Sequence, residues 1–288
     1  MKAEQGYGLL VLAVLCVSVG SIFVRLANAP ALAVAFNRIF LASVVVAPFS
    51  APSLVRAWPA VSARHRLILL ASGISLGVHF ATWIASLSYT SVAASVLLVN
   101  TAPLFTLVFS WWFLRERAST AVLVAMAIAL TGAALIAAGD WDGGASSLTG
   151  AALAVAGAVT LSLYHVIGRG LRDALPLSAY VLGVWSTAAA TLAVLALAAR
   201  VPVFGYPLRT FALFLSLAVV PTVIGHGLVN RSLRRIPAPT VGLFLLGEPI
   251  AASLLAYAVF GETPGRLTIA GGVLVLAALV LVVRTERA

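Results

Sequence analysis

The sequence predicts an all-α membrane protein, with ten transmembrane helices arranged as two five-helix repeats of inverted topology. Three observations carry this. Of 288 residues, 62% are hydrophobic and 9% charged, against roughly 25% charged in a soluble domain. The apolar residues fall into ten long runs separated by Gly, Pro and basic residues. The chain also matches itself at a single offset of about half its length.

The runs lie at about 7–26, 31–49, 67–88, 92–113, 119–138, 148–168, 176–199, 209–230, 238–259 and 267–283, close to the ~20 residues that span a bilayer core. The first, Tyr7 to Leu26, precedes Ala27-Asn28-Ala29 and has the outline of a signal peptide. It is too long for a signal core and has only Lys2 ahead of it, offset by Glu4, so it is read as the first span. The second run opens after Pro30, and Pro52 and Pro59 mark the joint to the third. The fourth stops at Arg115-Glu116-Arg117, and the fifth at Asp140, Asp142 and Gly143-Gly144. The sixth ends at Arg169. Pro176 opens the seventh, and Pro202 and Pro207 precede the eighth. The ninth lies between Pro237 and Glu262, and the tenth follows Pro264. Barrel strands would be ~10 residues with alternating polarity. These runs are continuous and long, so helices must satisfy their backbones in lipid.

The formal net charge is +10. The basic residues sit between apolar runs and not on one face, which argues against nucleic acid as a partner and for a topological signal. With the N-terminus inside, thirteen of the eighteen fall on the inner side. Arg25, Arg200, Arg209 and Arg266 fall outside, and Arg38 lies within the second span. Both termini are therefore expected in the cytoplasm, with the chain in a bacterial-type inner (plasma) membrane. The single cysteine, Cys16, reads as a packing residue; it permits no intramolecular disulfide and no metal site built on cysteine pairs. Trp58, Trp111, Trp112 and Trp141 lie near span ends and read as interfacial anchors. Gly132 and Gly271-Gly272 read as points of close helix packing.

In the repeat, Ser91–Arg117 aligns with Pro237–Thr263, Pro103 falling on Pro249 and Glu116 on Glu262. The expected halves are 1–143 and 144–288. Each holds an odd number of spans, so the second enters the membrane upside down. Inverted repeats are the architecture of secondary transporters, with the substrate site near the midplane between the halves.

The same residues carry a family likeness. SYTSVAAS, NTAPLFT and FLRER within Ser88–Arg117, SLRRIPAPTVG and GEPIAASLLAYAVFGET within Ser232–Thr263, and AFNRIFLA at Ala35–Ala42 resemble the drug/metabolite transporter superfamily in its EamA branch. The resemblance runs from about Gly8 to Val283. It implies ten helices, export of small metabolites, often amino acids, and a central cavity lined by helices one, three, four, six, eight and nine. Among the members of that branch, the chain is most similar to the bacterial aromatic amino acid exporters.

Ionisable groups at membrane depth are costly and are functional candidates by default. Glu248 is the one acid within a span, next to Pro249. It has three readings: a contact for a substrate ammonium, a carrier of a coupling proton, or a structural partner of Arg38, which lies at a similar depth. His79, Trp83 and Ser86 share one helix face at i, i+4, i+7. They line a substrate site, or the histidine is satisfied by a neighbouring helix. Asn100 needs a bond at mid-depth, from substrate or another helix. His226, which shares a face with Thr222 and Asn230, and Tyr164 are further substrate-binding candidates, with His165 beside Tyr164. Pro103 and Pro249 soften matching helices and are the gating candidates.

No catalytic set, phosphate loop or metal motif is visible, so an enzyme is the remote alternative and no cofactor is called for. The expected function is export of aromatic or other apolar amino acids and related metabolites by alternating access. An uncoupled facilitator or a broad drug exporter is the alternative. The partners expected are a small-molecule substrate and the bilayer, with nothing that requires more than a monomer.

Overall fold

A computed structural model describes residues 3–89, 95, 98–139, 148–171, 173–261 and 265–285. Glu262 and Trp141 lie outside the described residues. The first half contains α1 (Ala3–Ala27), α2 (Ala31–Ala57), α3 (Ala63–Ser86), α4 (Ala102–Phe109, continued by a π-helical turn Ser110–Leu114) and α5 (Thr120–Gly139). The second contains α6 (Leu148–Gly170), α7 (Leu177–Ala198) and α8 (Leu208–Leu217), which runs through a π-helical segment Ala218–His226 into α9 (Gly227–Leu233). It closes with α10 (Ala238–Leu245), α11 (Glu248–Phe260) and α12 (Arg266–Thr285). No strand occurs among the described residues.

Seven helical stretches are long and apolar enough to cross a membrane, and the shorter Ala102–Leu114, Thr120–Gly132 and Ile269–Leu281 are apolar too. The core is apolar, as in a soluble protein, but the outer surface is apolar too and several polar groups are buried. Arg38, His79, His165, His226 and Asn230 are buried, while Phe49, Leu148, Leu197 and Leu208 are exposed. In water so much outward apolar surface would drive aggregation; against acyl chains it is matched.

Two helices depart from the runs read in the sequence. The second extends to Ala57, with Pro48 and Pro52 inside it and the turn delayed to Trp58–Ala60. The prolines stand four apart on one face, so each removes one bond and the other faces keep their ladders. The ninth run is broken. Pro249, second in α11, cannot donate to the Leu245 carbonyl. The chain steps through Leu246 and Gly247 by tight bonds to Leu243 and Phe244.

The same break recurs 146 residues earlier, where Asn100 and Thr101 form the step before α4 and Pro103. The ends of these helices correspond as well. Arg115 closes the π turn with φ 59°, and Gly261 closes α11 with φ 71°. Both are left-handed caps that free a helix to stop. Packing partners also recur with the halves exchanged: α3 rests on α6 as the π segment rests on α1, and α4 on α6 as α11 on α1. Corresponding helices pair directly in α2 with α7 and in α5 with α12.

Small residues set these contacts. A Cβ on Gly132 would fall 2.6 Å from the Gly271 carbonyl, so α5 and α12 meet backbone to backbone there. On α3, Gly73 and Gly77 receive Thr187 and Thr191 of α7, a small-residue seam spaced by four on each helix.

Candidate functional site

The packed halves leave a central cavity of about 70 Å³. That is room for a few waters and well below the roughly 300–1,000 Å³ of an ordinary ligand pocket. The site is narrow in this form. Its walls come from α1 (Val17), α2 (Arg38), α3 (His79, Phe80, Trp83), the α4 step (Val99, Asn100, Pro103), α6 (Leu161, His165), the π segment (His226) and the α10–α11 step (Gly242, Leu246, Glu248). The six helices that the family resemblance implies are all present, together with Arg38 from the second.

Arg38 is held by a chain of local causes. Pro221 has no N–H for the carbonyl of Leu217, four residues back. The Thr222 hydroxyl takes that carbonyl at 2.9 Å as the helix widens into the π segment. The same oxygen accepts from Arg38 Nε at 2.8 Å. The guanidinium lies 4.4 Å over the Phe80 ring, a cation–π contact. Among the described residues the bond from Nε to Thr222 is the one hydrogen bond shown for the Arg38 guanidinium, and no direct ion pair joins Arg38 to Glu248. Both residues line the same cavity.

His79 is oriented by its backbone partner: Nδ1 donates to the Gly157 carbonyl at 2.9 Å, which leaves Nε2 an acceptor in the neutral ring. The imidazole stacks on Trp83 at 5.9 Å with planes 4° apart. Phe80 lies 4.8 Å from His79 and meets His226 edge-on at 5.8 Å. Trp83 Nε1, His165 Nε2 and His226 Nδ1 are buried without a hydrogen-bond partner. Buried groups of this kind call for a ligand or water. Among the described residues no cluster of three His, Cys, Asp or Glu is spaced to hold a metal.

Two candidates stand outside the cavity wall. The Ser86 hydroxyl pairs with Ser95 Oγ at 2.6 Å and with the Trp83 carbonyl. It shares the His79 face but sits too near the helix end to reach the cavity. Tyr164 donates to Asn230 Oδ1 at 2.8 Å, a buried α6–α9 tie. Its neighbour His165, rotated about 100° around the helix, takes the wall position instead. Pro103 lines the wall beside Gly242 of the opposite half. Thr106 also lines the wall and went unremarked in the sequence; one hydroxyl in an apolar run is no signal.

Off the cavity, Glu116 Oε1 accepts from Arg169 Nε at 2.8 Å. Arg169 also donates to the Leu233 carbonyl. The end of α4 is thereby tied to the ends of α6 and α9.

The EamA-like transporter family model matches the chain twice, over residues 4–138 and 148–284. The chain belongs to the EamA-like transporter family. Among its relatives is an uncharacterized transporter of Archaeoglobus fulgidus, 25% identical over 96% of both chains. A probable terminal-alkyne amino-acid exporter of Streptantibioticus cattleyicolor is 28% identical over 86% of this chain and 82% of its own. The pseudopaline exporter of Pseudomonas aeruginosa is 26% identical over 99% of this chain and 98% of its own. A solved crystal structure superposes with a TM-score of 0.80 at 19% identity, over 99% of this chain and 98% of that one, which establishes the shared fold. As a family member the protein is a multi-pass membrane transporter, and the relatives' names support export of a small molecule.

Proposed function

We propose that this EamA-family protein exports amino acids, aromatic or otherwise apolar, and related small metabolites across a bacterial-type inner membrane. The mechanism is alternating access around the central cavity, with 1–143 and 144–288 as inverted five-helix halves and both termini cytoplasmic. The observation that carries this is the cavity itself. It takes wall residues from both halves, and it combines a guanidinium, a carboxylate and an aromatic rank at the joint between them. That is where a rocking pair of repeats holds its substrate.

The matched steps before Pro103 and Pro249 support a gating role for the two prolines, because a helix bends most readily where its bond ladder is interrupted. Glu248 bears on energetics. Among the described residues it is the one acid in the wall, so on this reading at most one proton per cycle passes through the cavity by a carboxylate. An uncoupled facilitator is the second reading, favoured by that same scarcity of acids.

The test is counterflow in proteoliposomes with a panel of labelled amino acids, with and without a pH gradient. Saturable exchange of an apolar amino acid is expected. A rate indifferent to the gradient removes the proton-coupled version, and no exchange for any amino acid removes the substrate class.

A further inference from the structure

Arg38 and Glu248 line one cavity without a direct ion pair between them. Arg38 is 2% exposed, and among the described residues the bond from Nε to Thr222 is the one hydrogen bond shown for its guanidinium. A guanidinium in that state completes its hydrogen bonds with water or an anion, and of the two only an anion also meets its charge. Arg38 Nη1 lies close to Gly20 of α1. The backbone carbonyl of Glu248 accepts from Ser18 Oγ of the same helix at 3.3 Å. Ser18 and Gly20 differ by about 3 Å along the α1 axis, so α1 seats both charged residues at one level. From Arg38 the wall continues as Phe80, His79 and Trp83, rings in mutual contact.

Resting on the export reading above, we infer that the cavity binds an α-amino acid as its zwitterion. The carboxylate sits on the terminal nitrogens of Arg38, the ammonium on the Glu248 carboxylate, and the apolar side chain along His79 and Trp83. Arg38 and Glu248 are then specificity residues for the two ends of the substrate. No direct ion pair joins them in this structure, where the guanidinium is held by Thr222 and the Phe80 ring. Thr222 positions Arg38 without touching substrate.

The experiment is competition against labelled L-phenylalanine and L-leucine counterflow in proteoliposomes. Each amino acid is compared with its amide, which lacks the carboxylate, and with 3-phenylpropanoate or 4-methylpentanoate, which lack the ammonium. In the wild type both classes of analogue should compete tenfold or more weakly, the loss expected for one charge-assisted contact. Arg38→Gln should abolish the preference over the amide and spare the preference over the deaminated acid; Glu248→Gln should do the reverse. Thr222→Val, which keeps the guanidinium but removes its anchor, should weaken the carboxylate preference alone. Wild-type protein that exchanges amino acids yet accepts either analogue equally well overturns the clamp while leaving the export reading intact. So do variants that keep the wild-type ranking. Absence of exchange for every amino acid overturns both. Should Arg38→Gln or Glu248→Gln fail to assemble, the wild-type ranking and Thr222→Val still decide.

Discussion

Replacing Gly73 by alanine puts a methyl group into the tightest seam of the bundle. The added Cβ would overlap Thr187 Cβ and lie 2.8 Å from both Thr187 Cγ2 and the Val184 carbonyl. The carbonyl belongs to a helix backbone and cannot swing aside, so α3 and α7 must separate. Overpacking of this kind costs about 1–3 kcal/mol. At roughly 2–4 °C per kcal/mol for chains of 150–250 residues, purified Gly73→Ala should melt at least about 2 °C below the wild type. Gly227→Ala is the control: nothing lies within 4 Å of its Cβ, and replacing a helical glycine there should be neutral or stabilising by up to about 1 kcal/mol. The assay is thermal unfolding in detergent, monitored by intrinsic fluorescence. Equal melting of Gly73→Ala and wild type would refute the reasoning. His79 lies less than two turns beyond Gly73, so a displaced α3 should lower the transport rate as well.

Further predictions bear on the cavity and its ties. The Glu116–Arg169 pair has side chains 22% and 9% exposed, between surface pairs worth under about 1 kcal/mol and buried ones that cost about 3–5 kcal/mol to break. Glu116→Gln should therefore free the α4 end by about 2 kcal/mol, and a maleimide should label Asn100→Cys tenfold or more faster in a Cys16→Ala background. Unchanged labelling would mean the pair holds no gate. Gly242→Leu directs its side chain at the Pro103 face and fills the cavity, so it should abolish exchange at normal melting temperature; full activity would place the path elsewhere. Tyr164→Phe strands Asn230 and should cost about 1–3 kcal/mol of stability with an unchanged half-saturation for substrate. A changed half-saturation would put Tyr164 back in the site.

Much of this was readable from residue types that are expensive in lipid. Arg38, His79, Glu248 and the repeated prolines stand out because a bilayer charges heavily for each, and the steps before Pro103 and Pro249 recur at the spacing of the repeat. What stayed hidden is azimuth. In helices apolar all round, lipid-facing and core-facing positions look alike, so nothing separated Tyr164 from His165, or told Ser86 from the true wall residues above it. The step at Leu246-Gly247 was half legible, since Pro249 announces a lost bond but not which residues give way. The π segment at Ala218–His226 arises from Pro221 and Thr222 acting together with Arg38, a partner nearly two hundred residues away, and no local pattern records that.

The central claim is that the halves are oppositely oriented around the cavity. In a Cys16→Ala background, Arg117→Cys and Thr263→Cys occupy corresponding positions of the two repeats, 146 residues apart. A membrane-impermeant maleimide applied to intact cells should label Thr263→Cys and spare Arg117→Cys, with the order reversed in inside-out vesicles. Labelling of both from the same side would contradict the account.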